Sequence, residues 1–341
     1  MTSFTNKVLD EVREKLAPID SVIKLARDRR GLVLEAAMDF PGTLRSYYSG
    51  SIAHGTANFD LDADCGVVLD RRTYPELGPD GDDVGPTDVV VQVADLVKDA
   101  LPDADVDTSK KRAIMVTFNA PVGAYDPSVD LVVGLERRDE PGLWIPQLFT
   151  DTWDASHPEK HTELFTSGSD KLRQIRARAV RLAKGWNGQF EDPCVSSFNI
   201  ETIAWNCVTD EMTMADALAE IFEYGARELL SPTPDPAEVS PPIKLLLDPA
   251  IVVSRFNDAS KLMQEALQHD EDENAVREAL AKLFPDYVDA LPSASADKAA
   301  IAAALRDTGN SAFKVGSTGV VASEGAAGLK NVRSWSDEQG R

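Results

Sequence analysis

Cysteine, histidine, positive charge and long apolar runs are all scarce in this chain, and each scarcity excludes something. The three cysteines, Cys65, Cys194 and Cys207, form no Cys-x-x-Cys pair. Neither a disulfide framework nor a thiolate zinc site is therefore expected. Of the four histidines, His157 and His161 stand close together, but Pro158 follows the first and no cysteine lies nearby in sequence. Without metal-ligand spacing, a surface loop is the reading favoured for that pair. No apolar run approaches the roughly 20 residues of a membrane span. The start Met1-Thr2-Ser3-Phe4-Thr5-Asn6-Lys7 has no apolar stretch of a secretory signal. The expectation is a cytoplasmic protein without membrane association. Lys and Arg number 35 against 57 Asp and Glu, a formal net charge of −22. Such a balance argues against a broad basic face for duplex DNA, while leaving room for a local basic pocket that takes nucleotide phosphates.

The 341 residues are enough for two packed lobes. Residues 4–38 carry apolar side chains at helical spacing, with Pro18 set to kink or split the helix. After the break at Pro41-Gly42, Leu44–Tyr48 and residues 63–70 read as strands, residues 88–101 as a helix, and Ala113–Phe118 and Val129–Val133 as two further strands. A small mixed sheet with helices is the expectation for residues 1–160. Beyond about residue 160 strand signals fade. Helices are expected at Lys171–Trp186, Ile200–Thr209, Met214–Leu230, Asn257–Gln268 and Asn274–Phe284, which makes 161–307 a mostly helical lobe. The Pro-rich stretch from Pro232 to Pro242 reads as an ordered loop, and 308–341 as a Gly-, Ser- and Ala-rich tail.

The most informative segment runs Gly50-Ser51-Ile-Ala-His-Gly55-Thr56-Ala-Asn-Phe-Asp60-Leu-Asp62-Ala-Asp64-Cys-Gly-Val-Val-Leu69. Strand positions i and i+2 share a face, so Asp62 and Asp64 project together, and Asp60 joins them if the strand begins early. Carboxylates crowded on one face repel, and a cation between them relieves the repulsion. Asp130 sits within the run Val129-Asp130-Leu131-Val132-Val133 of another strand, where an acid must be paired or metal-bound. Asp62, Asp64 and Asp130 are thus candidates both for catalysis and for holding two Mg²⁺, with Mn²⁺ as a substitute. Asp130 is also placed to help deprotonate an attacking hydroxyl. Gly50 lets backbone N–H groups approach a phosphate, and Ser51 adds a hydroxyl donor. Gly55-Thr56 serves either as turn and cap or as a direct ligand.

A second cluster lies in Lys171-Leu-Arg-Gln-Ile-Arg-Ala-Arg-Ala-Val-Arg-Leu-Ala-Lys184, which has six basic residues and no acid. A merely solvated helix intersperses acids as i,i+4 partners. Arg173, Arg181 and Lys184 fall near one face, and Lys184 is the chosen triphosphate ligand. Most of the arginines are expected to pair with acids elsewhere. Ser196-Ser197-Phe198 places a hydroxyl, that of Ser197, at a helix N-terminus where phosphate is favoured. Phe198 either stacks a base or belongs to the core.

These residues resemble the DNA-polymerase-β-like nucleotidyltransferases, and within them the branch containing cyclic GMP-AMP synthase, the oligoadenylate synthases and the bacterial CD-NTases. Gly50-Ser51, Asp62-Ala-Asp64 and Val129-Asp130-Leu-Val resemble that branch's loop, metal pair and third carboxylate. Arg181-Leu-Ala-Lys184-Gly-Trp-Asn and Ser197-Phe198-Asn-Ile-Glu are similar to its phosphate-binding helix and the Ser-aromatic pair that opens the next one. The likeness covers roughly residues 40–290. It implies an α+β, bilobal fold, a polymerase-β-like nucleotidyltransferase core with a mostly helical C-terminal lobe closing the cleft. It also implies that ribonucleoside triphosphates are joined into a cyclic or linear oligonucleotide messenger, in bacterial anti-phage signalling. The chain departs from the animal DNA sensor in having no Cys/His zinc insertion. Two alternatives stand beside this: nucleotide transfer to a protein, antibiotic or RNA end, and a catalytically inactive nucleotide-binding protein. A regulatory protein partner is a further expectation, with the tail ending at Arg341 as a candidate contact.

Overall fold

Pro18 does more than bend the first helix. In the computed structural model, α1 (Phe4–Leu16) and α2 (Asp20–Met38) are separate helices, with residues 17–19 extended between them. The Ser3 hydroxyl caps α1 by accepting from the Asn6 N–H. The two helices serve different cores. Val8, Leu9, Val12 and Leu16 of α1 pack into the C-terminal helical cluster, whereas Val22, Ala26, Val33 and Ala37 of α2 pack against the sheet. The structure describes residues 3–59, 61–289, 314–316 and 319–321. Asp60 and nearly all of the tail named above lie outside the described residues.

The sheet is built from β1 (Thr43–Tyr48), β2 (Ala63–Leu69), β3 (Asp105–Asp107), β4 (Ile114–Thr117), β5 (Val129–Glu136), β6 (Leu143–Gln147) and β7 (Thr152–Ser156). Its order is β1-β2-β5-β4-β3, with β6 pairing β5 and β7 pairing β6. Only β2 and β5 are parallel to each other; the other pairs are antiparallel. The mixed sheet is the one read from the sequence, extended by three strands that reading missed. β3 is three residues long, and β6 contains Pro146, so neither carries a clean alternating signal. The short helix α3 (Gly50–His54) follows β1, and α4 (Thr87–Ala100) follows the polar loop after β2.

Alternation along β2 and β5 divides the sheet into two faces. Ala63, Cys65, Val67 and Leu69, with Val129, Leu131, Val133 and Leu135, are buried against α2 and α4. The other face carries Asp64, Gly66, Val68, Asp130 and Val132. Part of it packs in a smaller cluster of Tyr47, Val68, Leu143 and Ile145, with Val132 at its edge. This second face opens onto a cleft. Across the cleft lie α5 (Pro158–Phe165), α6 (Asp170–Gly188), α7 (Ser197–Cys207), α8 (Met214–Glu228), α9 (Pro249–Gln268) and α10 (Glu273–Leu283). Their core centres on Trp186, whose ring meets Phe190, Phe222 and Phe256 edge-on at 5.4, 4.8 and 4.9 Å. Among the described residues no helix is long and apolar enough to cross a membrane. A two-stranded ribbon, β8 (Lys314–Gly316) and β9 (Gly319–Val321), completes the described elements.

Gly66 faces the cleft side directly beneath Tyr47, and a Cβ there would lie 2.2 Å from the Tyr47 ring. Tyr47 is itself buried in the cluster with Val68, Leu143 and Ile145, so moving its ring costs packing. Gly66→Ala is expected to destabilise the protein by about 1–3 kcal/mol, read as a fall of several degrees in Tm by calorimetry. An unchanged Tm would show that Tyr47 moves freely.

Candidate active site

Parallel register sets the acids. Cα of Asp64 on β2 pairs with Cα of Asp130 on β5, so the two carboxylates emerge side by side on the cleft face. Asp62, two residues earlier, points the same way. Each has a distinct environment. Asp62 Oδ1 accepts from the Ser128 hydroxyl at 2.8 Å. Both oxygens of Asp130 accept from Lys110 Nζ at 2.9 Å, so the acid in the apolar run is paired. Burial, then Asp130 and Asp62, push the Asp64 carboxyl up to about 8. Without a cation, Asp64 therefore holds a proton at neutral pH.

The Gly-Ser segment is one turn of helix rather than an open loop. Gly50 begins α3 at φ +70°, and a Cβ on it would lie 1.8 Å from Asp64 Oδ2. Only glycine lets the chain press this closely on the acid. Gly55 ends the turn at φ +73°, which answers the open reading of that residue as a cap. Thr56 is instead buried, and its hydroxyl donates to Glu201 Oε1 at 2.5 Å.

Across the cleft, Lys184 Nζ donates to Glu201 Oε1 at 2.6 Å and to Thr56 Oγ1 at 3.1 Å. Glu201 Oε2 accepts from His54 Nδ1 at 2.9 Å. Burial acts to raise the Glu201 carboxyl, but Lys184 and His54 outweigh it and hold the group far below the usual carboxylate range. Ser196 caps α7 by accepting from the Asn199 N–H at 3.2 Å, leaving Ser197 exposed at the first turn. The Phe198 ring meets those of His161 and Phe165 at 4.8 and 5.7 Å and also faces the cleft.

All of Gly50, Ser51, Asp62, Asp64, Asp130, Lys184, Ser197 and Phe198 line one cleft of about 600 Å³. Arg173 and Arg181 do not line it; Arg173 pairs with Asp170 on its own helix. Sequence reasoning missed Lys110, His54 and Glu201 as members of this site. The readable trace of Glu201 was an acid within the apolar stretch Ile200–Ala204 of α7, one turn after Ser197. Among the described residues no three His, Cys, Asp or Glu side chains form a ready-made metal cage. The donors nevertheless suit a hard divalent cation: they are all carboxylates, and their mutual repulsion adds to burial in raising Asp64.

The far wall of the cleft includes Tyr47, Val132 and Ile145 of the sheet and Pro241, Pro242 and Ile243 of the Pro-rich loop. Buried Asp235 anchors this loop. It accepts from His161 Nε2 at 2.6 Å and from the N–H groups of Val239 and Ser240 at 3.0 and 2.7 Å. His157 caps α5, accepting from the Lys160 N–H. The pair read as surface-loop residues instead brackets the start of α5, with His157 as its cap and His161 buried in its first turns; Pro158 takes the first helical position, where its missing N–H costs nothing.

No family profile matches the sequence, and no curated protein matches it either. Solved structures do match. CdnC of Escherichia coli MS115-1, in complex with HORMA-deltaN, superposes with a TM-score of 0.63 at 19% identity, over 83% of this chain and 98% of that one. CdnG of Bradyrhizobium diazoefficiens, a CD-NTase solved with GTP, gives 0.60 at 14% identity, over 82% and 95%. The Vibrio cholerae cyclic AMP-GMP synthase DncV gives 0.53 at 13% identity, over 84% and 87%. The chain has the α+β fold of these bacterial CD-NTases.

The Asp235 anchor gives a pH signature. Burial acts to raise this carboxyl, but the His161 bond and the two N–H donors bring it down to about 2. A depressed carboxyl stabilises the fold above its unfolded value near 4, and that contribution is lost as pH falls toward 2. Asp235→Asn is expected to be about 1 kcal/mol less stable at pH 7, with allowance for solvent screening. The gap should close between pH 4 and 2, as followed by denaturation midpoints. A pH-independent gap would rule out the charge as its origin.

Proposed function

We propose that the chain is a divalent-cation-dependent nucleotidyltransferase that joins ribonucleoside triphosphates into a cyclic di- or trinucleotide messenger and releases pyrophosphate. The observation that carries this is the Asp62/Asp64/Asp130 face standing across a single cleft from Lys184 and Ser197. The CD-NTase fold supports it. The E. coli neighbour's HORMA complex supports a regulatory protein partner, and the cyclic AMP-GMP synthase supports a messenger as product. Anti-phage signalling in a bacterial cytoplasm is the setting that fits.

In this reading the triphosphate lies between the start of α3 and the α6–α7 wall. Backbone N–H groups at Gly50 and Ser51, the Ser51 and Ser197 hydroxyls and the Lys184 ammonium take its oxygens. Asp62, Asp64 and Asp130 would hold Mg²⁺, or Mn²⁺ in its place, which when bound would lower the pKa of the attacking hydroxyl and neutralise the leaving pyrophosphate. A ribose hydroxyl oxygen of the second nucleotide attacks the α-phosphorus. A P–O bond to that oxygen forms as the bond to the β-phosphate bridge breaks, and the hydroxyl proton passes toward Asp130. Lys110 holds the Asp130 carboxylate in place for that step. The apolar side chains of the cleft's far wall, Val132, Ile145 and Ile243, suit the second base, as does the ring of Phe198.

Incubating the purified protein with labelled NTPs and Mg²⁺ or Mn²⁺, followed by mass spectrometry, is expected to give a soluble, phosphatase-resistant product. Label found only on protein or RNA would favour the same fold acting on a macromolecular acceptor. Asp64→Asn is expected to lower product by about 10³-fold or more. The Tm of the metal-free protein should hold near neutral pH, because Asp64 is already protonated there and the amide replaces a neutral carboxyl of the same shape. Continued synthesis by this variant would sink the proposal.

A further inference from the structure

Lys184, the residue best placed for the triphosphate, already has a partner. Its side chain is 10% exposed and its ammonium lies 2.6 Å from Glu201 Oε1. Glu201 cannot follow the lysine elsewhere. Its carboxylate is held by His54 on Oε2 and Thr56 on Oε1, and its helix is pinned by buried Ile200, Ile203 and Ala204. His54 is fixed in turn, its Nε2 lying 3.1 Å from Thr162 Oγ1 and its ring edge-on to Phe165 at 5.2 Å. These contacts join α3, which opens the phosphate loop, to α5, α6 and α7. A lysine needed only as a phosphate donor requires none of this.

We propose that Glu201 is a built-in counter-anion for Lys184: it takes the place of phosphate in the empty site, competes with bound triphosphate, and reclaims the ammonium as pyrophosphate leaves. This rests on the nucleotidyltransferase reading and adds to it a residue that sets triphosphate affinity and the rate of product release. The sign follows from which state loses more. Removing one member of a buried charge pair leaves the other unpaired in a site of low polarity. Without the Glu201 charge, Lys184 is unpaired only while the site is empty, since phosphate oxygens satisfy it when the site is filled. A change that destabilises the empty state more than the filled one tightens binding. Glu201 is in this sense a positioning residue, acting on substrate through Lys184.

The test uses the full chain and two probes, magnesium pyrophosphate and non-hydrolysable analogues of the four NTPs, with dissociation constants measured by calorimetry. Glu201→Gln, which keeps shape and removes charge, is expected to bind pyrophosphate about tenfold more tightly, with a lower KM and a lower kcat as release slows. In a Lys184→Met background the same change should do nothing. Glu201→Asp, which draws the charge back by one methylene, should give an intermediate tightening and covers the case in which the glutamine variant does not fold. Weaker or unchanged binding by folded Glu201→Gln or Glu201→Asp overturns the proposal, as does tightening that persists without Lys184. A purely structural role would lower Tm and leave these constants where they are. Wild-type protein that binds neither pyrophosphate nor any analogue would instead refute the transferase reading itself.

Discussion

Two parallel strands in one register impose a problem that the surrounding residues answer. Pairing Asp64 with Asp130 across β2 and β5 forces two carboxylates together on the face where Asp62 also points. In a half-dry cleft, like charges at that spacing cannot all ionise without help. Lys110 meets Asp130, Ser128 meets Asp62, and Asp64 is left holding a proton. A strand slipped by one residue would turn these acids into the apolar layer against α2 and α4 and bring Cys65 and Leu131 out. The burial of Ala63, Cys65, Val67 and Leu69 is therefore what fixes the acids in place.

The opposite wall solves the converse problem, a buried cation. Lys184 is met by Glu201, and Glu201 by His54 and Thr56, so the charges of the helical lobe are balanced by residues reached from the loop after β1. The acid-rich and the base-bearing walls are thus held at a set distance from each other by hydrogen bonds as well as by packing. A triphosphate, polyanionic and escorted by cations, is complementary to this arrangement, with its metals toward one wall and its oxygens toward the other.

Much of this was legible in the sequence where a local rule sufficed. Period-two spacing put Asp62 and Asp64 on one face, and the break at Pro18 ended a helix. The absence of acids from Lys171–Lys184 singled out the helix whose Lys184 lines the cleft. Pairings across distance were not legible: Lys110 is separated from Asp130, and Glu201 from Lys184 and His54, by chain that only the fold brings back. Periodicity likewise shows that Val8, Val12 and Leu16 are buried, but not against which core. Hence the sequence shows the kink or split at Pro18 but not that α1 packs on the other lobe. The strands β3, β6 and β7 are too short or too interrupted to compete with coil by local pattern alone.

The splitting of the first helix has a mechanical consequence. Because α1 sits in the helical core and α2 against the sheet, the chain crosses between lobes at residues 17–19 and again at His157, between β7 and α5. A body joined to another by one tether can twist about it freely. Joined by two, it keeps one easy motion, rotation about the line through both. The bonds of His54 and Thr56 to Glu201 close off that remaining motion, so the first linker, with Pro18 stiffening it, serves with the second as a brace that holds the two walls of the cleft at one spacing.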